Sequence, residues 1–151
     1  MTDESGQSYP FTVDTLLDRA LGPEGYYGVF TVNMHTDVAT IPQDDAIIAS
    51  AIERGVPVIT AKQMLAWLDG RNGSSFGALT RNGGTVSFTV SIGEGANGLH
   101  ILLPTAGPTG SLSSITLNSA AVTFVTATIK GVEYATFPAA LGSYQARYTG
   151  P

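Results

Sequence analysis

The sequence predicts a two-part α+β chain: an N-terminal βαβα fragment with parallel strands, packed on a C-terminal all-β immunoglobulin-like sandwich. Three observations predict it. Apolar residues from 12 to 71 fall at helical spacing, interrupted by short continuous apolar runs. From residue 72 onward the period drops to two, and Gly, Asn and Pro turn signals recur about every 8–12 residues. The seam falls near Arg71, so residues 1–11 read as a disordered terminus, 12–71 as the parallel part and 72–151 as the sandwich.

The first helix is expected from Thr12, its N-cap, because Val13, Leu16, Leu17, Ala20 and Leu21 form one apolar stripe before Gly22-Pro23. Tyr26 to Met34 is aromatic and β-branched, as a buried strand would be. After a loop from His35 to Gln43, the acidic pair Asp44-Asp45 favours the start of a helix that runs from Ala46 to Arg54 and closes at Gly55. Val56 to Ile59 is a second short buried strand. Thr60 and Gln63 then make a capping box for a helix with Met64, Leu65, Trp67 and Leu68 on its apolar face and Gly70 as its stop. Two parallel strands alone leave faces and edges uncovered, so this part needs further strands or a covering surface.

Beyond the seam, Val86, Phe88, Val90 and Ile92 alternate with Thr and Ser, and Asn82-Gly83 signals a hairpin before them. Leu99, Ile101 and Leu103 form the next inward row. Further strands are expected at Ser114–Leu117, Val122–Ala127, Val132–Phe137 and Ser143–Tyr148, with Asn118-Ser119 and Lys130-Gly131 as turns. Tyr144, Ala146 and Tyr148 share one face of the last strand.

Composition narrows function. Charged residues are 13% of the chain, there are 18 glycines and no cysteine, and the formal net charge is −5. Low charge with abundant Gly, Thr and Ser suits an extracellular β-module. With no basic cluster to face phosphates, a nucleic-acid partner is not expected. The absence of cysteine removes disulfides, thiolate metal sites and a Cys nucleophile. No apolar run approaches the ~20 residues that span a bilayer, and Met1 to Pro10 has neither the basic start nor the apolar core of a signal peptide. A secreted or cell-surface location therefore requires a signal outside this chain.

The most suggestive local cluster is Asn33-Met34-His35-Thr36-Asp37, just past the C-terminal end of an expected parallel strand, where α/β folds place functional groups. His35 in that position suits a general acid or a ligand, oriented by Asp37 or Asp44. The competing reading makes His35 a strand end and Asp37 a turn residue. The only histidines are His35 and His100, without H-x-x-x-H or H-E-x-x-H spacing, so a closed metal site is not expected. No G-x-S-x-G elbow is present. The glycine-rich stretches Gly93–Gly98 and Gly107–Gly110 lie between strands, not before helices, and read as sandwich loops. Trp67, Tyr144 and Tyr148 read as core, not as a sugar-stacking platform.

The run from Tyr26 to Asp37, followed by Asp45-Ala-Ile-Ile-Ala-Ser-Ala and Arg54 to Asp69, resembles the C-terminal end of polysaccharide-deacetylase-like barrels in large secreted bacterial proteins, where an immunoglobulin-like domain follows. The resemblance makes 12–71 a partial barrel tail and 72–151 the appended sandwich. His35 matches the histidine of the family's last motif, with Asn33 in place of the usual apolar residue. By resemblance that histidine is the catalytic acid, while a zinc-like divalent metal and the base belong to earlier motifs that this chain lacks. The resemblance implies no cofactor in this chain and a metal only in a complete parent barrel. It implies a non-catalytic C-terminal segment of an extracellular carbohydrate-active protein, bearing a sandwich with an accessory or adhesion role. The alternatives are a carbohydrate-binding module using the glycine-rich loops, or a residual sugar deacetylase using His35 and Asp37 in a larger assembly. Expected partners are a polysaccharide or cell-wall glycan, and the missing part of the barrel or a second copy.

Overall fold

The computed structural model describes residues 10–25, 28–34, 37, 39 and 41–150. Among them run three helices, α1 (Phe11–Leu21), α2 (Pro42–Glu53) and α3 (Ala61–Gly73). Nine strands follow: β1 (Ser75–Asn82), β2 (Thr85–Ser91), β3 (His100–Pro104), β4 (Ala106–Gly107), β5 (Gly110–Leu117), β6 (Ala120–Ala121), β7 (Val125–Ile129), β8 (Val132–Pro138) and β9 (Gly142–Thr149). The chain separates into two compact units, one ending at Ile59 and one beginning at Thr60. Packing therefore places α3 with the sandwich, one helix before the change of period at Arg71.

In the first unit, α1 begins at Phe11, not after Thr12. The Asp14 amide donates to the Pro10 carbonyl at 3.0 Å, which closes the first turn early and leaves Thr12 inside the helix instead of capping it. Helix α2 likewise starts four residues ahead of Ala46, because Pro42 at its first turn needs no amide partner and Asp44 and Asp45 suit the positive helix end. Its C-terminus is a Schellman closure: the Gly55 amide reaches the Ile52 carbonyl at 2.9 Å and the Val56 amide reaches Ala51 at 2.9 Å. Gly55 takes the left-handed φ of 66° that this closure requires.

Val13 and Leu17 of α1 meet Ile47 and Ala51 of α2, with Val32, Met34 and Val56 half-buried beside them. A polar clamp runs along the same contact. Arg54 Nη1 lies 3.1 Å from Asp14 and its Nε donates to Asp18 at 2.7 Å, while the buried Ser50 hydroxyl donates to Asp14. The hydrogen bond from Arg54, opposed by some desolvation, holds the Asp18 carboxyl below its usual range.

The parallel βαβα arrangement is not present among the described residues. Residues 28–32 and 56–60 carry no strand, and Asn33 sits in an isolated bridge. The residues at 28–34 and 56–59 have the composition of buried strands, but a ladder needs partners along its length, and a lone pair of short strands is marginal in water. The expected strand residues Tyr26 and Tyr27 lie outside the described residues.

The second unit starts with the expected capping box. Thr60 Oγ1 accepts from the Gln63 amide at 3.2 Å, and Gln63 Oε1 accepts from the Thr60 amide at 2.8 Å. Helix α3 then runs past Gly70 to Gly73, so Gly70 is not a stop. It is a point of close approach: a Cβ there would collide with the Glu94 carbonyl, and one on Gly93 would collide with the Gly70 carbonyl. Ser74 ties the two together, donating to the Gly70 carbonyl at 2.8 Å and accepting from the Gly93 amide at 2.9 Å.

Two antiparallel sheets make the sandwich. One has the order β1-β2-β9-β5-β4, with β6 also on β5; the other is β3-β8-β7. The alternation expected from the sequence points Phe88 and Val90 of β2, Ile101 of β3, and Tyr144, Ala146 and Tyr148 of β9 into one core. Ile115, Ala135 and Phe137 complete it. Phe88 and Tyr144 are registered partners on neighbouring strands, and their rings stack at 5.2 Å. Phe137, from the opposite sheet, meets Tyr144 at 5.9 Å. Expected turns form at Asn118-Ser119 and Lys130-Gly131, all at positive φ. The first hairpin turns at Gly83-Gly84, one residue later than Asn82-Gly83, since Asn82 still pairs with Thr85.

Strand order separates this sandwich from the immunoglobulin arrangement. Setting aside the two-residue strands β4 and β6, an immunoglobulin constant-type order would put the fifth strand beside the second and the seventh beside the sixth. Here the last strand, β9, lies between β2 and β5, while β7 pairs with β8. The two strands have exchanged sheets. The chain consequently crosses between sheets just before β9, and Tyr144 pins that crossing. Its hydroxyl donates to the Ala140 carbonyl at 3.1 Å and accepts from the Ala140 amide at 3.0 Å. This is the tyrosine corner of β-sandwiches, reached without the immunoglobulin strand order.

Candidate functional site

His35 lies outside the described residues, and Asp37 is exposed in the loop before α2. Asp44 sits in the first turn of α2 with its Oδ1 buried and unpaired among the described residues. The positive end of α2 balances that carboxylate. Among the described residues, no three His, Asp or Glu side chains gather as metal ligands would.

The glycine-rich loop Gly93–Gly98 is where α3 docks. Besides the Gly70–Gly93 approach, a Cβ on Gly95 would strike the Ala66 carbonyl, and Trp67 Nε1 donates to the Asn97 carbonyl at 3.0 Å. Ala96 is buried. Part of this loop is therefore committed to the helix, while Glu94, Asn97 and Gly98 stay exposed. Trp67 is half-buried, with its indole N–H satisfied by that loop.

Two depressions on the second unit are lined by groups able to meet a ligand. One, of about 280 Å³, lies over the polar face of the larger sheet, where Ser87, Thr89, Thr116, Ser143 and Gln145 present hydroxyl and amide groups. Asn118 at its rim is already engaged, accepting from the Ser143 amide at 3.0 Å. The other, of about 400 Å³, opens between the end of α3, β1 and β3. Arg71 and Asn72 come from the last turn of the helix, Ser75 and Phe76 from β1, Ser91 from β2 and His100 from β3. Val90 and Ile101 contribute an apolar floor.

These groups come from places far apart in the chain. Arg71 is set by the length of α3, which runs past Gly70 where the glycine-rich loop approaches it closely. His100 is the first residue of β3 and exposed, with Nδ1 3.3 Å from Thr136 Oγ1 on β8. Phe76 is 64% exposed and held edge-on to Phe88 at 5.7 Å. No sequence spacing links Arg71 to His100, so pattern reading had no signal for this cavity. Chemically it offers a guanidinium, an imidazole, hydroxyls and an apolar wall: a set for binding, without a paired nucleophile and base.

Comparison with protein-family models, with curated proteins and with solved structures finds no match.

Proposed function

We propose that this chain is a non-catalytic segment of an extracellular, polysaccharide-deacetylase-like protein, in which the sandwich is an accessory module and the helical unit is completed by further polypeptide. The observation that carries the reading is the apolar surface of the first unit. Among the described residues of that unit, Phe11, Leu21, Val29, Ile52 and Val58 are all more than half exposed, while the buried apolar core is Val13, Leu17, Ile47 and Ala51. Large apolar side chains left exposed beside so small a core favour a partner surface. The low charge and the Gly-, Thr- and Ser-rich sandwich support an extracellular setting, and the resemblance around His35 supports the barrel. In the complete barrel, His35 would supply the acid, and the metal and base would come from outside this chain.

The test is apolar-dye binding and sedimentation of the full chain beside residues 60–151. The full chain is expected to bind dye and self-associate, and the shorter one to do neither. A monomeric full chain without dye binding would overturn the proposal. Acetate release from chitin or peptidoglycan oligomers with added zinc, abolished by His35→Ala, would instead establish an enzyme.

A further inference from the structure

We infer that the cavity between α3, β1 and β3 binds an acidic saccharide, a uronate-type sugar whose carboxylate meets Arg71. The charge pattern selects the ligand. In a chain of net charge −5, the cavity lining holds an arginine and a histidine and no carboxylate. Arg71 has no ion-pair partner among the described residues, and its described hydrogen bond is a local one to Asn72 Oδ1 at 3.2 Å. A guanidinium left in this way offers a planar fork that matches a carboxylate through two parallel hydrogen bonds. A neutral sugar would leave that fork without an anionic partner.

The rest of the lining suits a pyranose ring. Ser75 and Ser91 are registered partners on β1 and β2 and bring two hydroxyls together at the cavity, suited to ring hydroxyls. Phe76, with its ring fixed against Phe88, provides an exposed apolar wall for the C–H face of the sugar. The volume of about 400 Å³ lies within the range of small-ligand sites. The choice of a saccharide over other carboxylates rests on the glycan setting proposed above.

The experiment titrates the full chain with oligogalacturonate and with its methyl-esterified form, followed by calorimetry and by amide chemical shifts. The acid form is expected to bind at least about ten-fold more tightly than the ester, the factor that losing one charge-assisted pair brings. Shifts should centre on residues 71–76, 90–91 and 99–101. Arg71→Gln should weaken the acid form about ten-fold without lowering the melting temperature, and Arg81→Gln, on β1 but outside the cavity, should leave affinity unchanged. The acid–ester comparison uses the native chain and needs no variant to fold. Equal affinity for acid and ester, shifts centred elsewhere, or no binding of the acid at millimolar concentration would overturn the inference. So would equally tight binding of a peptide through its C-terminal carboxylate. None of these outcomes bears on the dye and sedimentation test, so the two proposals fail separately.

Discussion

The two units of this chain solve the same problem unequally. The sandwich closes nine buried side chains from two sheets into one core, three of them aromatic rings in contact. Among its described residues the helical unit gathers four apolar side chains into a core, and leaves Phe11, Leu21, Ile52 and Val58 exposed. The difference is geometric: two facing sheets bury a whole face each, whereas two short helices share only a narrow seam. What the helical unit lacks in buried area it partly replaces with a polar clamp, Arg54 against Asp14 and Asp18.

Core truncations test that contrast most strongly. Phe137→Ala should cost the second unit about 3–5 kcal/mol, and Leu17→Ala should cost the first about 2–3 kcal/mol, because its small core collapses more readily. Site-resolved hydrogen exchange reads both. Each variant should lose protection in its own unit, and equal loss across both units would show a single inseparable core.

Gly70→Ala should come next, destabilising α3 docking by about 1–3 kcal/mol even though alanine is the better helix former, since the new methyl meets the Glu94 carbonyl. Trp67, the only tryptophan, reports the event directly. A red-shifted emission and a lower urea midpoint are expected, and an unchanged spectrum with raised stability would remove the helix from the sandwich unit.

Tyr144→Phe keeps the ring stacking and removes the hydroxyl that pins the Ala140 crossing, at a cost of about 1–2 kcal/mol. Burial pushes the Tyr148 phenol upward, so ionisation is disfavoured in the folded state. Stability from that group is complete below pH ~10 and is lost as pH rises through the raised value. An alkaline unfolding curve that Tyr148→Phe leaves unaltered would contradict this.

The smallest effect belongs to the clamp. The depressed Asp18 carboxyl contributes stability above its ordinary value of 3.8, lost as pH falls through the lower folded value. Asp18→Asn should flatten the acid limb of unfolding for the first unit only. The same flattening in the second unit would show that the two units are coupled.

Much of the sandwich was legible because alternation is a local signal. Phe88, Val90, Ile101, Tyr144 and Ala146 lie on the face their spacing required. The capping box of α3 and the Gly55 closure of α2 were legible for the same reason, each being decided within about six residues. The parallel strands were not, because the composition at 28–34 and 56–59 favours extended chain without supplying a partner to pair with. Gly70 was misread as a stop because its neighbour, the Gly93 loop, is distant in sequence.

The sequence by itself determined which core residues turn inward along the sandwich strands, the turns at Asn118-Ser119 and Lys130-Gly131, the capping box of α3 and the Gly55 closure of α2, since these depend on side-chain period and on backbone preferences over a few residues. Only the tertiary structure decided that β9 enters between β2 and β5, that α3 packs with the sandwich, and that Arg71 and His100 line one cavity. Each of these joins segments whose separation along the chain leaves no trace in local pattern, and each is settled by which surfaces bury one another.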